Sequence, residues 1–208
     1  MKGADAMDIE IRELTPDLAD EYVRFFDETP HDDETDENKC YCVCWCGDDS
    51  EGKDFSSPEK RRACARRYVE DGSIRGYLAY NNGKAVGWCN ANTRANCLKC
   101  HSWRRYMGHV PLEEADARTK IKSIFCFVIA PEMKRKGIAT LLTERVSSDA
   151  AKDGFDFIEA YPKKNAASDA ENFIGPLAMY LKNGFTVSYE SEQKLIVRRP
   201  LKNLRQTP

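Results

Sequence analysis

Lys134-Arg135-Lys136-Gly137-Ile138-Ala139-Thr140 places three cations and a glycine immediately before an apolar run of helical period. A helix that starts there leaves its first N–H groups unpaired and presents the positive end of its dipole, and both favour a phosphate or pyrophosphate. Gly137 has no Cβ to obstruct such a group, and Ala139 keeps the second turn shallow. These residue types predict a phosphate-binding turn. A basic tripeptide ahead of a helix also suits a solvated surface turn, so the surrounding elements decide between the two.

Sulfur is the second reactive chemistry on the chain. Cys40, Cys42, Cys44 and Cys46 alternate with Tyr41, Val43 and Trp45, and Cys97, Cys100 and His101 form another cluster. On one face of an extended strand, alternate side chains stand roughly 6.6 Å apart, whereas zinc draws thiolates to about 2.3 Å. Four successive alternate cysteines bind one ion only if the segment curls; otherwise each cluster must supply two ligands. Reduced cysteines packed as small apolar residues are the plainer reading, and no metal ligands are assigned.

The elements that must position the basic turn are legible on both sides of it. Ser123 to Ala130 is a nearly uninterrupted apolar run stopped by Pro131, which predicts a central strand covered on both faces. After the turn, Ile138, Leu141, Leu142, Val146 and Ala150 recur at helical spacing. Phe155 to Tyr161 reads as a strand closed by Pro162, and Pro176 opens a helix, as its first residue, that ends near Asn183-Gly184. A final hairpin follows over Phe185 to Tyr189 and Lys194 to Arg198.

Upstream, Ile9 to Leu14 alternates as a half-buried strand, and Thr15-Pro16 opens a helix carrying Tyr22, Val23, Phe25 and Phe26. An acidic and cysteine-rich loop over 27–57 precedes a helix that starts at Ser57-Pro58 and stops at Asp71-Gly72. Asn81-Asn82-Gly83 then joins two antiparallel strands. Residues 95–119 read as an irregular insertion. The expected order is strand, two helices, three strands, helix, strand, helix and two strands, without a repeat or linker to divide it.

At 208 residues the chain is long enough for one sizeable core. Thirty-two Lys and Arg against thirty-four Asp and Glu leave no global charge that favours nucleic acid or an anionic membrane as a partner. No apolar run has the length of a signal peptide or a membrane span, and nine cysteines is an odd number in a chain too large to need staples. A soluble, cytoplasmic protein with reduced thiols is expected.

With the central strand before it and the helix after it, the basic turn resembles the signature of the GNAT superfamily of acyl-coenzyme-A-dependent N-acetyltransferases. That signature is Arg or Gln, two residues, Gly, one residue, then Gly or Ala; here Lys134 stands in the first place, Gly137 and Ala139 in the others. Met179-Tyr180-Leu181-Lys182-Asn183-Gly184-Phe185 is similar to a second family segment, a helix carrying Tyr and ending in Gly-Phe, although Phe173 stands where the family often has Asn.

The resemblance implies a single α/β (α+β) domain over 8–199 with a mixed, mostly antiparallel sheet flanked by helices, and a tail at 200–208. It implies acetyl-coenzyme A as co-substrate, its pantetheine arm on the backbone of Phe127, Val128 and Ile129. Its pyrophosphate would lie on the turn formed by Lys134, Arg135, Lys136, Gly137, Ile138, Ala139 and Thr140. Tyr180 would protonate the leaving thiolate, suited by a phenol pKa of roughly 10. Glu159, beside Tyr161 at a strand end, is the best-placed general base. The acceptor would be the amine of a small molecule or a protein, attacked directly in a ternary complex.

Among relatives of that kind, the segment carrying Asp27, Glu28, Asp32, Asp33, Glu34, Asp36 and Glu37 lines the acceptor pocket, where these carboxylates would attract a cationic amine or form a solvated loop. Two other readings keep the fold without turnover. One is a thiol-rich metal-binding or redox-sensing module, and the other is a regulatory domain that binds the cofactor.

Overall fold

The computed structural model describes residues 7–30, 35–46, 54–107, 119–192 and 194–202. Strand β1 (Ile9–Glu13) leads through a 3₁₀ turn at Pro16–Leu18 into α1 (Ala19–Glu28), whose Tyr22, Val23, Phe25 and Phe26 are buried. Helix α2 (Pro58–Glu70) begins where the Ser57 hydroxyl accepts the Lys60 N–H at 3.4 Å, the cap its sequence promises. Strands β2 (Gly76–Asn81) and β3 (Lys84–Thr93) are joined at Asn82 and Gly83, with φ of 50° and 77°.

The stretch expected to be irregular from residue 95 is in part helical, with α3 (Arg94–Cys97) and α4 (His101–Met107) packing before β4 (Ile121–Ile129). Buried Cys97, Trp103 and Met107 explain it, since each helix turns one apolar side into the core. The remainder of that expected insertion, 108–118, lies outside the described residues.

Helix α5 (Ile138–Lys152), β5 (Phe157–Ala160), α6 (Leu177–Lys182), β6 (Thr186–Glu190) and β7 (Leu195–Pro200) complete the fold. Pro176 is the N-cap of α6, with extended ψ of 143°, and not its first helical residue.

Among the described residues, seven strands form one mixed sheet in the order β1-β2-β3-β4-β5-β7-β6, with the β4–β5 pair parallel and the other pairs antiparallel. Adjacent β3 residues separate its faces. Trp88 packs edge-on against Tyr22 of α1, whereas a Cβ on Gly87 would meet Ile138 of α5 at 3.0 Å. Helices α1 and α5 therefore cover opposite sides.

The feature that matters for function is where the parallel pairing stops. Ile121 to Ile124 pair with Phe157 to Ala160, after which β4 continues to Ile129 and β5 ends. Pro162 follows after Tyr161 and cannot donate to a ladder. The far half of β4 thus has a strand on one edge and an open seam on the other.

Candidate active site

At the seam's mouth, the turn after β4 carries Arg135 at φ 60° and Gly137 at φ 84°, so its peptide planes alternate in direction. Gly137 is the N-cap of α5 and supplies no side-chain cap. Among the described residues, the first-turn N–H groups of Ile138, Ala139 and Thr140 have no protein acceptor. Nothing lies within 4 Å of where a Gly137 Cβ would stand. Free amides, a dipole end and open space together make an anion site of backbone.

A cleft of about 430 Å³ runs from that turn along β4. Phe127, Ile129, Lys134, Arg135, Gly137, Ile138, Ala139 and Thr140 line it, so eight of the ten residues expected at the cofactor come together there. The side chains of the other two lie elsewhere, which leaves the expected backbone role of Val128 as it was. Lys136 is exposed, with its ammonium over Met133 Sδ at 3.9 Å. Val128 points through the sheet to its opposite face, because neighbouring strand residues alternate. Lys134 lies beside the cleft with its ammonium 3.1 Å from Asp169.

Across the seam, the Phe127 N–H donates to the carbonyl of Phe173 at 2.6 Å. Residues Asn172, Gly175 and Met179 continue that wall. Gly175 has φ of 94°, and a Cβ there would stand 3.3 Å from the Phe127 ring, so the approach requires glycine.

On the opposite face of β4 lies a second cavity of about 320 Å³. Phe26 of α1, Trp45, Tyr106 of α4, and Cys126 and Val128 of β4 contribute to its wall. Phe127 and Phe173 line both spaces, so the cavity and the cleft meet at the seam.

Cys40, Cys42 and Cys44 also line this cavity, because their segment is not an extended strand. Tyr41 and Cys42 adopt φ of 45° and 56°, and Val43–Trp45 is a 3₁₀ turn. The curl that convergent thiolates would need is present. Among the described residues, however, no group of three or more His, Cys, Asp or Glu side chains could hold a metal ion. Burial pushes Cys40 up to about 12, and the hydrogen bond to Cys42, together with burial, pushes Cys126 well above the usual thiol range. Cys42 lies below that range: burial pushes it up, but the Cys126 thiol and the Asn90 amide, 3.2 Å from its sulfur, donate to it and outweigh the burial.

The expected acidic wall is absent from this cavity among the described residues. Asp27 faces a separate surface groove and is held by Arg62 at 2.8 Å and the Tyr41 hydroxyl at 2.8 Å. Asp36 pairs with Lys39 at 3.1 Å. Asp32, Asp33 and Glu34 lie outside the described residues.

Both residues expected to move protons are enclosed elsewhere. Tyr180 is fully buried and its hydroxyl donates to the Ile174 carbonyl at 2.5 Å, which ties α6 to the loop before it. Glu159 is also fully buried. Its carboxylate accepts from Tyr161 at 2.7 Å, Arg94 at 3.3 Å and Arg198 at 2.6 Å. Neither lines the cleft or the cavity.

Residues 11–185 match the family model described as the acetyltransferase (GNAT) family. The chain belongs to the GNAT family. No curated protein sequence matches it. Among solved structures, the PaiA N-acetyltransferase of Thermoplasma acidophilum in complex with coenzyme A is similar at 12% identity and a TM-score of 0.52, over 93% of this chain and 99% of that one. An N-acetyltransferase from Staphylococcus aureus Mu50 is similar at 13% identity and 0.52, over 94% and 99%. An uncharacterised Bacillus halodurans protein, bh2621, gives 14% and 0.54, over 95% and 86%.

These likenesses agree with the seven-stranded sheet and its single parallel pair. Acetyl-coenzyme A is the acyl donor of GNAT enzymes, and its chemistry fits the cleft: a diphosphate for the uncapped amides and an extended arm for the open edge of β4. Asn172, Trp45 and Tyr106 line the cleft or the cavity without having stood out in any motif. Gly175-Pro176 was the available signal, a turn too tight for a side chain just before a helix.

Proposed function

We propose that this GNAT acetyltransferase transfers an acetyl group from acetyl-coenzyme A to a primary amine seated in the cavity beside Cys126 and Val128, by direct attack in a ternary complex. The meeting of cleft and cavity at Phe127 and Phe173 supports this reading: two ligands approaching from opposite faces of β4 would touch at the seam. The acceptor is the amine of a small molecule or a protein. Nine free thiols support a cytoplasmic location, since that compartment keeps them reduced.

Ile138, Ala139 and Thr140 hold the pyrophosphate through their N–H groups, while Arg135 and Lys134 add positive charge. The Phe127 N–H exchanges the Phe173 carbonyl for the incoming arm or the thioester oxygen, which keeps a donor at the reacting end of the seam. Bound there, acetyl-coenzyme A supplies a carbonyl carbon that gains a bond to the amine nitrogen as its bond to sulfur breaks, the sulfur leaving with the proton that nitrogen gives up.

Incubation of the protein and acetyl-coenzyme A with a library of primary amines, followed by mass spectrometry, tests the reading. Acetylated amine and free coenzyme A should appear together. Calorimetry that detects no binding of coenzyme A would refute it.

A further inference from the structure

We infer that the acceptor is a small primary monoamine carried on an aromatic or branched apolar body, and that polycationic amines are poor acceptors; this rests on the acetyl-transfer reading of the same cavity. At about 320 Å³, the space is at the lower end of small-molecule sites. Its wall carries aromatic rings beside the polar side chains of Asn38, Lys39, His101 and Ser102. Trp45 stands with its ring centre 6.5 Å from Tyr106 and 6.4 Å from Phe173, and Phe26 and Phe127 add two more rings. Burying one aromatic group in such a wall favours a substrate by about 10- to 100-fold.

Charge points the same way. Among the described residues no carboxylate lines the cavity, and its Lys39 is already engaged by the Asp27 carbonyl at 2.8 Å and by Asp36. A polycation would have to shed water from several ammonium groups without a counter-charge to receive them. A single ammonium meets aromatic faces, the side-chain oxygens of Asn38 and Ser102, and Cys42, whose thiol is drawn toward its anion.

The test compares kcat/KM for 2-phenylethylamine, spermidine and a lysine-containing peptide with acetyl-coenzyme A, read by mass spectrometry. The wild-type protein should prefer 2-phenylethylamine to spermidine by about 10- to 100-fold. Tyr106→Ala, at a half-exposed position that spares the fold, should narrow that ratio, and Val128→Glu, which adds a carboxylate to the wall, should reverse it. Melting curves check that both variants are folded. Spermidine or the peptide acetylated as well as 2-phenylethylamine overturns the substrate class and leaves acetyl transfer standing. Acetyl-coenzyme A left intact with all three amines overturns the transfer reading and this inference with it.

Discussion

The cleft and the cavity, proposed to take the cofactor and the acceptor, lie back to back on one strand, yet they are built from different material. The cleft's anion site is backbone: amides of consecutive residues at the start of α5, exposed because Gly137 offers no cap. The cavity is side chains drawn from α1, the curled cysteine segment, α4, β4 and the loop before α6. A backbone site tolerates the change from the family's Arg or Gln to Lys134, since the N–H groups remain. A side-chain site has no such protection, and its specificity can diverge while the fold stays constant.

Substitutions outside both spaces should alter neither, however large their effect on stability. Glu159→Gln is expected to have the largest cost, about 3–5 kcal/mol in urea unfolding, because it leaves Arg94 and Arg198 without their shared carboxylate. The folded fraction should keep the wild-type pH–rate profile; loss of one limb would restore Glu159 as a base. Gly137→Asp attacks the backbone site, through a strained φ of 84° and a negative charge facing the diphosphate. Calorimetry should show coenzyme A binding weakened by at least about 100-fold, near 3 kcal/mol.

Tyr180→Phe removes one buried hydrogen bond and should destabilise by about 1–1.5 kcal/mol, with turnover within about twofold of wild type. A much larger fall in turnover with unchanged coenzyme A binding would return the phenol to the mechanism. The thiols on the acceptor side predict a pH effect of similar size. Burial raises Cys100 from 9.0 to about 11, so the folded state holds that proton more tightly than the unfolded one. Its contribution is complete below pH 9 and drains away as pH climbs toward 11, by about 1 kcal/mol at pH 10. Melting curves across pH 7–10 measure it, and Cys100→Ala should flatten the slope. Lys136→Gln is expected to change coenzyme A affinity least, by under about twofold, since its solvated ammonium lies outside the cleft.

Local pattern carried most of the fold. Ser57, Asn82-Gly83, Pro131 and Gly137 each stand where a cap or turn demands that residue, and the apolar run from Ser123 marks the central strand. The helices over 94–107 escaped because they are short and their apolar positions make sense only against the core they meet. The cysteine segment reads as part of a loop, but its curl, with Tyr41 and Cys42 at positive φ, comes from packing against α1 and β3 that no local pattern contains.

By itself, the sequence determined the basic turn and the strand and helix beside it, since a turn with uncapped amides needs only neighbouring residues of the right conformation. Tertiary structure alone decided which side chains reach the seam. It turned Val128 to the acceptor face, enclosed Tyr180 and Glu159, and brought Trp45, Tyr106 and Phe173 around one cavity. Distances between residues far apart in the chain depend on how sheet, helices and loop pack together, and no local spacing contains them.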